Sequence, residues 1–121
     1  MMSEWYSIRN IDTLDTPALV IYPQRIKHNM SVLASLTEDI SRVRPHVKTN
    51  KCPQVVRIML EAGVSKFKCA TIAEAEMLAI EGAVDVLLAY QTLGPKGKRF
   101  CDLQRAYPKT AFSCLIDHPK A

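Results

Sequence analysis

At 121 residues, 48% hydrophobic and 23% charged, the chain has the composition of a soluble globular protein. It is long enough for one ordinary domain of about 100–150 residues, and its composition argues against disorder. The formal charge of +4 comes from sixteen Lys and Arg interleaved with acids from Arg9 to Lys120, a pattern that argues against a polyanion-binding tail.

Two further classes are excluded on similar grounds. Cys52, Cys69, Cys101 and Cys114 are widely spaced with no Cys-x-x-Cys pair, so neither a disulfide framework nor a zinc site is supported. Free thiols in a reducing cytoplasm are expected. No run approaches the roughly eighteen apolar residues of a membrane span, and Met1-Met2-Ser3-Glu4-Trp5-Tyr6 lacks the apolar centre of a signal peptide. A cytoplasmic protein without a membrane partner is therefore expected.

In chain order, Ala18 to Tyr22 is apolar and β-prone and ends at Pro23, which predicts a strand. From Gln24 to Glu38 apolar residues recur at Ile26, Met30, Leu33 and Leu36, the spacing of an amphipathic helix. Ser41 to Thr49 alternates and predicts a strand on which His46 and Lys48 project to the same side. Pro53 to Ala62 reads as a helix, with Pro53 tolerated in its first turn and Gly63 as its stop. Phe67 to Thr71 is a short strand. Ala73 to Glu81 is a helix with an apolar face of Met77, Leu78 and Ile80, stopped by Gly82.

Asp85 to Ala89 predicts the next strand, and Leu93 to Gly97 a turn. Lys98 to Ala106 reads as a helix that must finish before Pro108, and Ala111 to Ile116 as a last strand. Strands and helices thus alternate at the interval of βα units, for which a parallel sheet is the expected arrangement. Neither a linker nor a low-complexity segment interrupts it.

The chemistry concentrates in Arg44-Pro45-His46-Val47-Lys48-Thr49-Asn50-Lys51, where a lysine falls at the end of an alternating run as strand gives way to loop. An ammonium held against apolar walls is disfavoured by desolvation, which leaves a neutral amine able to attack a carbonyl and form a Schiff base. Charge pattern alone is equally compatible with Lys48 and Lys51 as solvated loop lysines.

The segment from Pro45 to Lys51 resembles the lysine motif of the D-threonine aldolase and D-serine dehydratase family. Further segments agree in order: Asp15-Thr16-Pro17-Ala18-Leu19-Val20-Ile21, Cys69-Ala70-Thr71-Ile72-Ala73-Glu74-Ala75-Glu76 and Leu87-Leu88-Ala89-Tyr90-Gln91. The resemblance implies a pyridoxal phosphate (PLP) enzyme with an alanine-racemase-like fold. Residues 23–121 would form the N-terminal half of a PLP-binding (β/α)8 TIM-type barrel, and residues 1–22 would contribute one strand to a second β-domain. A complete barrel of this type needs about 250 residues, so the resemblance implies the N-terminal part of a longer enzyme.

The resemblance further implies that Lys48 carries PLP as a Schiff base and acts as a base near the substrate carbon. The substrate would be a β-hydroxy D-amino acid, undergoing aldol cleavage or dehydration. In such barrels the site lies at the C-terminal ends of the strands, where Lys48, Thr71 and Gln91 all fall by the spacing of the elements. His46 would contact the cofactor ring or orient a neighbour, or else be a hydrogen-bonded interior histidine. Thr49 and Asn50 would hold the loop. Gln91 would reach cofactor or substrate, or satisfy loop backbone groups.

Phosphate loops in such barrels follow strands seven and eight, which this chain does not contain. The divalent-metal ligands of the resembling family also belong to a later part of the chain. Neither His28 nor His118 substitutes for them, and no metal ligand is expected here. Asn50 stands where the family often has histidine. A half-barrel exposes unpaired edges, so a homo-oligomer and a catalytically silent isolated chain are expected.

Two other readings have different consequences. Gly94-Pro95-Lys96-Gly97-Lys98-Arg99 has the form of a Gly-x-x-Gly loop that clamps a nucleic-acid backbone. Pro95 removes a donor from it, and a helix-capping turn explains both glycines, so no nucleic-acid partner is expected. A non-catalytic truncated fragment is the other alternative, and it would retain no cofactor.

Overall fold

The computed structural model describes residues 4–119. Four helices and three strands follow one another, alternating from α2 onward: α1 (Pro23–Ser35), α2 (Pro53–Glu61), β1 (Lys66–Cys69), α3 (Ile72–Ile80), β2 (Asp85–Gln91), α4 (Pro95–Ala106) and β3 (Ala111–Leu115). Single 3-10 turns lie at Ile11–Thr13, Ile40–Arg42 and Val47–Thr49. Proline opens α1, α2 and α4, where its missing N–H costs nothing and its fixed φ suits the first turn. Gly63 and Gly82 end α2 and α3 at φ +93, a left-handed conformation that penalises any side chain. The next residues close each end, Val64 N donating to Met59 O at 3.1 Å and Ala83 N to Leu78 O at 3.0 Å.

The strands form one parallel sheet in the order β1-β2-β3. Lys66 to Cys69 pair with Asp85 to Leu88, which pair with Ala111 to Cys114. One more position adds to the outer edge of β1, where His46 makes a parallel bridge with Lys68 and Lys68 N donates to Pro45 O at 2.9 Å. Sequential neighbours joined through helices are the βα repeat that the alternation predicts.

Side chains alternate across each strand, and one face of the sheet is the core. Phe67, Cys69, Val86 and Leu88 are buried there with Val56, Ala75, Leu78, Phe100 and Leu103 from the helices. Phe100 meets Phe112 edge-on at 6.3 Å. The opposite face carries Lys66 and Lys68, Asp85, Leu87 and Ala89, all partly exposed. Arg44 crosses that face: its guanidinium grips Asp85 with two bonds of 2.8 and 2.7 Å and donates to Phe67 O at 3.2 Å. The segment ahead of Lys48 is thereby fastened to both β1 and β2.

Several local expectations need correction. Ala18–Tyr22 forms no strand, because no described segment lies beside it to complete a ladder. Ser41–Thr49 is likewise not a continuous strand; it opens in a 3-10 turn, touches the sheet at His46 and turns again at Val47. β1 ends at Cys69 rather than Thr71, and β2 continues to Gln91. α3 buries Glu74, Ala75 and Leu78, and leaves Ile80 64% exposed. This helix is apolar almost all round, so periodicity alone does not select its inner face. α1 turns Ile26, Met30 and Leu33 inward as expected, but Leu36 lies past its end and is exposed. α4 begins at Pro95, absorbing the expected turn into its first residues.

Candidate functional site

Because the strands are parallel, their C-terminal ends share one rim, and each is followed by a short turn. The turn after the His46 bridge, beside β1, carries the lysine. Val47 is fully buried and anchors the Val47–Thr49 turn, while Asn50 N and Lys51 N both donate to Val47 O, at 3.2 and 2.8 Å. Asn50 Oδ1 accepts from Cys52 N at 3.3 Å, so Asn50 does hold the loop. Thr49 is exposed within the turn.

Lys48 is exposed at the rim, without apolar walls around it among the described residues. Nor does it share a strand face with His46, since the backbone turns between them. The two are linked differently: Lys48 N donates to His46 Nδ1 at 3.3 Å. An accepting Nδ1 leaves the ring proton of the neutral imidazole on Nε2. Burial, and then the Lys48 and Lys68 charges, pull the His46 pKa below its ordinary range and favour that neutral ring.

Beyond the end of β1 Thr71 caps α3, its hydroxyl accepting from Glu74 N at 3.1 Å. Glu74 answers through Oε2, which accepts from Ala70 N at 2.7 Å. Glu74 is only 5% exposed, and its Oε1 lies 3.7 Å from Lys51 Nζ. Its burial was not foreseen, although Thr71-Ile72-Ala73-Glu74 has the S/T-x-x-E spacing of a capping box. At the end of β2 Gln91 Nε2 donates to Asp117 Oδ2 at 2.7 Å, tying the tops of β2 and β3 together by side chains rather than loop backbone.

The structure brings Thr71 and Gln91 together on the wall of a cleft of about 460 Å³, between the first turns of α3 and α4. Lys96 and Arg99, the basic residues of the Gly94–Arg99 stretch that face it, line it from α4. His46, Lys48 and Thr49 share the rim but do not line this cleft. The Gly94–Gly97 stretch is the connection from β2 into α4, with Gly94 at φ +57 and Gly97 N donating to Gly94 O at 3.0 Å. Among the described residues no group of three or more His, Cys, Asp or Glu is placed to hold a metal ion. No described helix is long and apolar enough to cross a membrane.

Parallel βα units with their loops gathered on one rim have the form of the first part of an α/β barrel. Residues 21–111 match the model of the alanine racemase N-terminal domain, and the chain belongs to that family. It is 38% identical over 78 residues to a D-threo-3-hydroxyaspartate dehydratase of Delftia sp. (strain HT23), covering 64% of this chain and 20% of that protein. It is 27% identical over 84 residues to a D-threonine aldolase of Arthrobacter sp., covering 68% and 22%. The crystal structure of D-threonine aldolase from Filomicrobium marinum superposes with a TM-score of 0.72 at 25% identity, over 86% of this chain and 28% of that one. The chain thus spans about a fifth of the curated relatives' length.

Proposed function

We propose that this chain is the N-terminal part of a PLP-dependent lyase acting on β-hydroxy D-amino acids. The observation that carries the reading is the exposed amine of Lys48 on the rim of a parallel sheet, in a chain related to an aldolase and a dehydratase whose named substrates share a β-hydroxyl and D configuration. An accessible primary amine on a braced turn fits the aldehyde end of PLP. When bound, PLP would supply an electron sink for charge developing at the substrate's α-carbon.

The chain's own residues divide the work. Lys48 would hold the cofactor and, once released, move a proton at the α-carbon. His46 orients the turn by accepting from Lys48 N, and its neutral ring keeps a second cation from forming beside the amine. Thr49 would support the cofactor from the same turn. Thr71 and Gln91 would bound the adjacent cleft, with Thr71 fixed by its cap and Gln91 by Asp117. The phosphate and divalent-metal sites would come from the part of such an enzyme that these residues do not match. Residues 1–22 would belong to its second domain and residues 23–121 to the barrel, and the enzyme would be a cytoplasmic homo-oligomer without a nucleic-acid partner. The 121 residues alone should hold PLP weakly and turn over neither D-threonine nor D-threo-3-hydroxyaspartate.

Incubation with PLP, borohydride reduction and peptide mapping tests the assignment. A pyridoxyl group on Lys48, lost in Lys48→Ala with the fold intact, is expected. Its appearance only on other lysines, or nowhere, would refute it.

A further inference from the structure

Glu74 is the most deeply buried acid among the described residues, and half of its carboxylate lacks a hydrogen bond. Oε2 is occupied by Ala70 N, whereas Oε1 is buried with no donor in hydrogen-bond range. A buried acid is costly unless a counter-charge compensates it. Lys51 Nζ, 3.7 Å from Oε1, supplies that charge.

Lys51 is itself unusual. At φ +46 it is the one non-glycine residue with positive φ among those described, a conformation that persists only where surrounding contacts impose it. Its N–H closes the turn onto Val47 O, and its side chain reaches back to α3. The turn bearing Lys48 is therefore held from below by buried Val47 and at its exit by Lys51. Glu74 also acts electrostatically on the His46 ring, opposing the fall in its pKa.

We propose that Glu74 and Lys51 are a positioning pair that selects Lys48 as the carbonyl-reactive lysine of this turn. The inference rests on the reading of Lys48 given above. Lys48 and Lys51 lie three residues apart on one exposed turn, and nothing in their side-chain chemistry distinguishes them. The Glu74 carboxylate does. A side chain drawn onto it is turned toward α3 and must leave the pair before it can meet a carbonyl, while Lys48 stays exposed with its backbone N–H fixed by His46. The same contact ties the turn to α3, so Lys51 serves by pairing rather than by reacting.

The test is the distribution of trapped label in the whole chain. The lysine amine adds to the PLP aldehyde carbon and one water leaves. Borohydride then delivers hydride to that carbon and solvent a proton to nitrogen, giving a stable secondary amine. Peptide mapping quantifies the pyridoxyl group at each lysine. Glu74→Gln keeps an oxygen for Ala70 N but removes the charge. It should lower the Lys48-to-Lys51 label ratio by about threefold to fivefold, the range of a modest ion pair. Lys51→Met should lower the Lys48 yield by a similar factor, and Lys51→Arg, which can pair but not react in this way, should restore it. Simple competition between two lysines predicts the opposite, a Lys48 yield that stays level or rises in Lys51→Met.

Circular dichroism of each variant establishes that it is folded. Should Glu74→Gln fail to fold, the Lys51 pair of variants decides alone. An unchanged ratio in folded Glu74→Gln, or an undiminished Lys48 yield in Lys51→Met, overturns the pairing while leaving Lys48 assigned. Wild-type label absent from Lys48 overturns both.

Discussion

Arg44→Met isolates the contact that fastens the lysine segment to the sheet. The substitution keeps the aliphatic stem but removes two charge-assisted bonds to Asp85 and one to Phe67 O. The two side chains are 29% and 31% exposed, so solvent screens the pair and its value lies well below that of a buried one. Bonds to charged groups contribute about 1.5–3 kcal/mol and exposed ion pairs about 0–1, which places this contact at about 1–2 kcal/mol. For a domain of this size that corresponds to a fall in Tm of about 3–10 °C.

The pH dependence gives a second handle on the same contact. The Arg44 hydrogen bond holds the Asp85 pKa below its ordinary value of 3.8. A carboxylate with a depressed folded-state pKa contributes stability above its unfolded value, and loses it as pH falls through the folded one. The stability gap between wild type and Arg44→Met should therefore be full at neutral pH and close below about pH 4. Thermal denaturation by circular dichroism across a pH series measures it. Equal Tm values at neutral pH, or a gap that persists undiminished in strong acid, would refute this account of how the segment is held.

Two other expectations follow from the core and the helix ends. Burial, with the Glu74 charge adding to it, pushes the Cys69 thiol up to about 12, so a thiol reagent at neutral pH should modify exposed Cys101 in the native protein and reach Cys69 only on unfolding; native-rate labelling of Cys69 would contradict its burial. Gly63→Ala and Gly82→Ala both force a side chain to φ +93, costing about 1–2 kcal/mol. Only at Gly63 would the added Cβ also meet Ile40 Cγ2, at 3.2 Å, so Gly63→Ala should melt lower than Gly82→Ala, and equal melting would show that Ile40 yields freely.

Local pattern by itself determined the succession of βα units, because its signals act over a few residues: Pro53 and Pro95 can open a helix anywhere, and Gly63 and Gly82 can end one. It also pointed to Lys48, Thr71 and Gln91 at the ends of extended runs, since chain direction in a parallel sheet puts those ends on one rim. Tertiary structure decided what each residue does there. Whether residues 41–49 form a strand depends on a partner, and the bridge to Lys68 reaches only His46, so Lys48 leaves the sheet and stands in solvent. Gln91 finds Asp117 twenty-six residues away, a contact no local window contains. The burial of Glu74 follows only once α3 turns Ala75 and Leu78 inward and carries the carboxylate beneath the lysine turn, where burial makes the Lys51 charge matter.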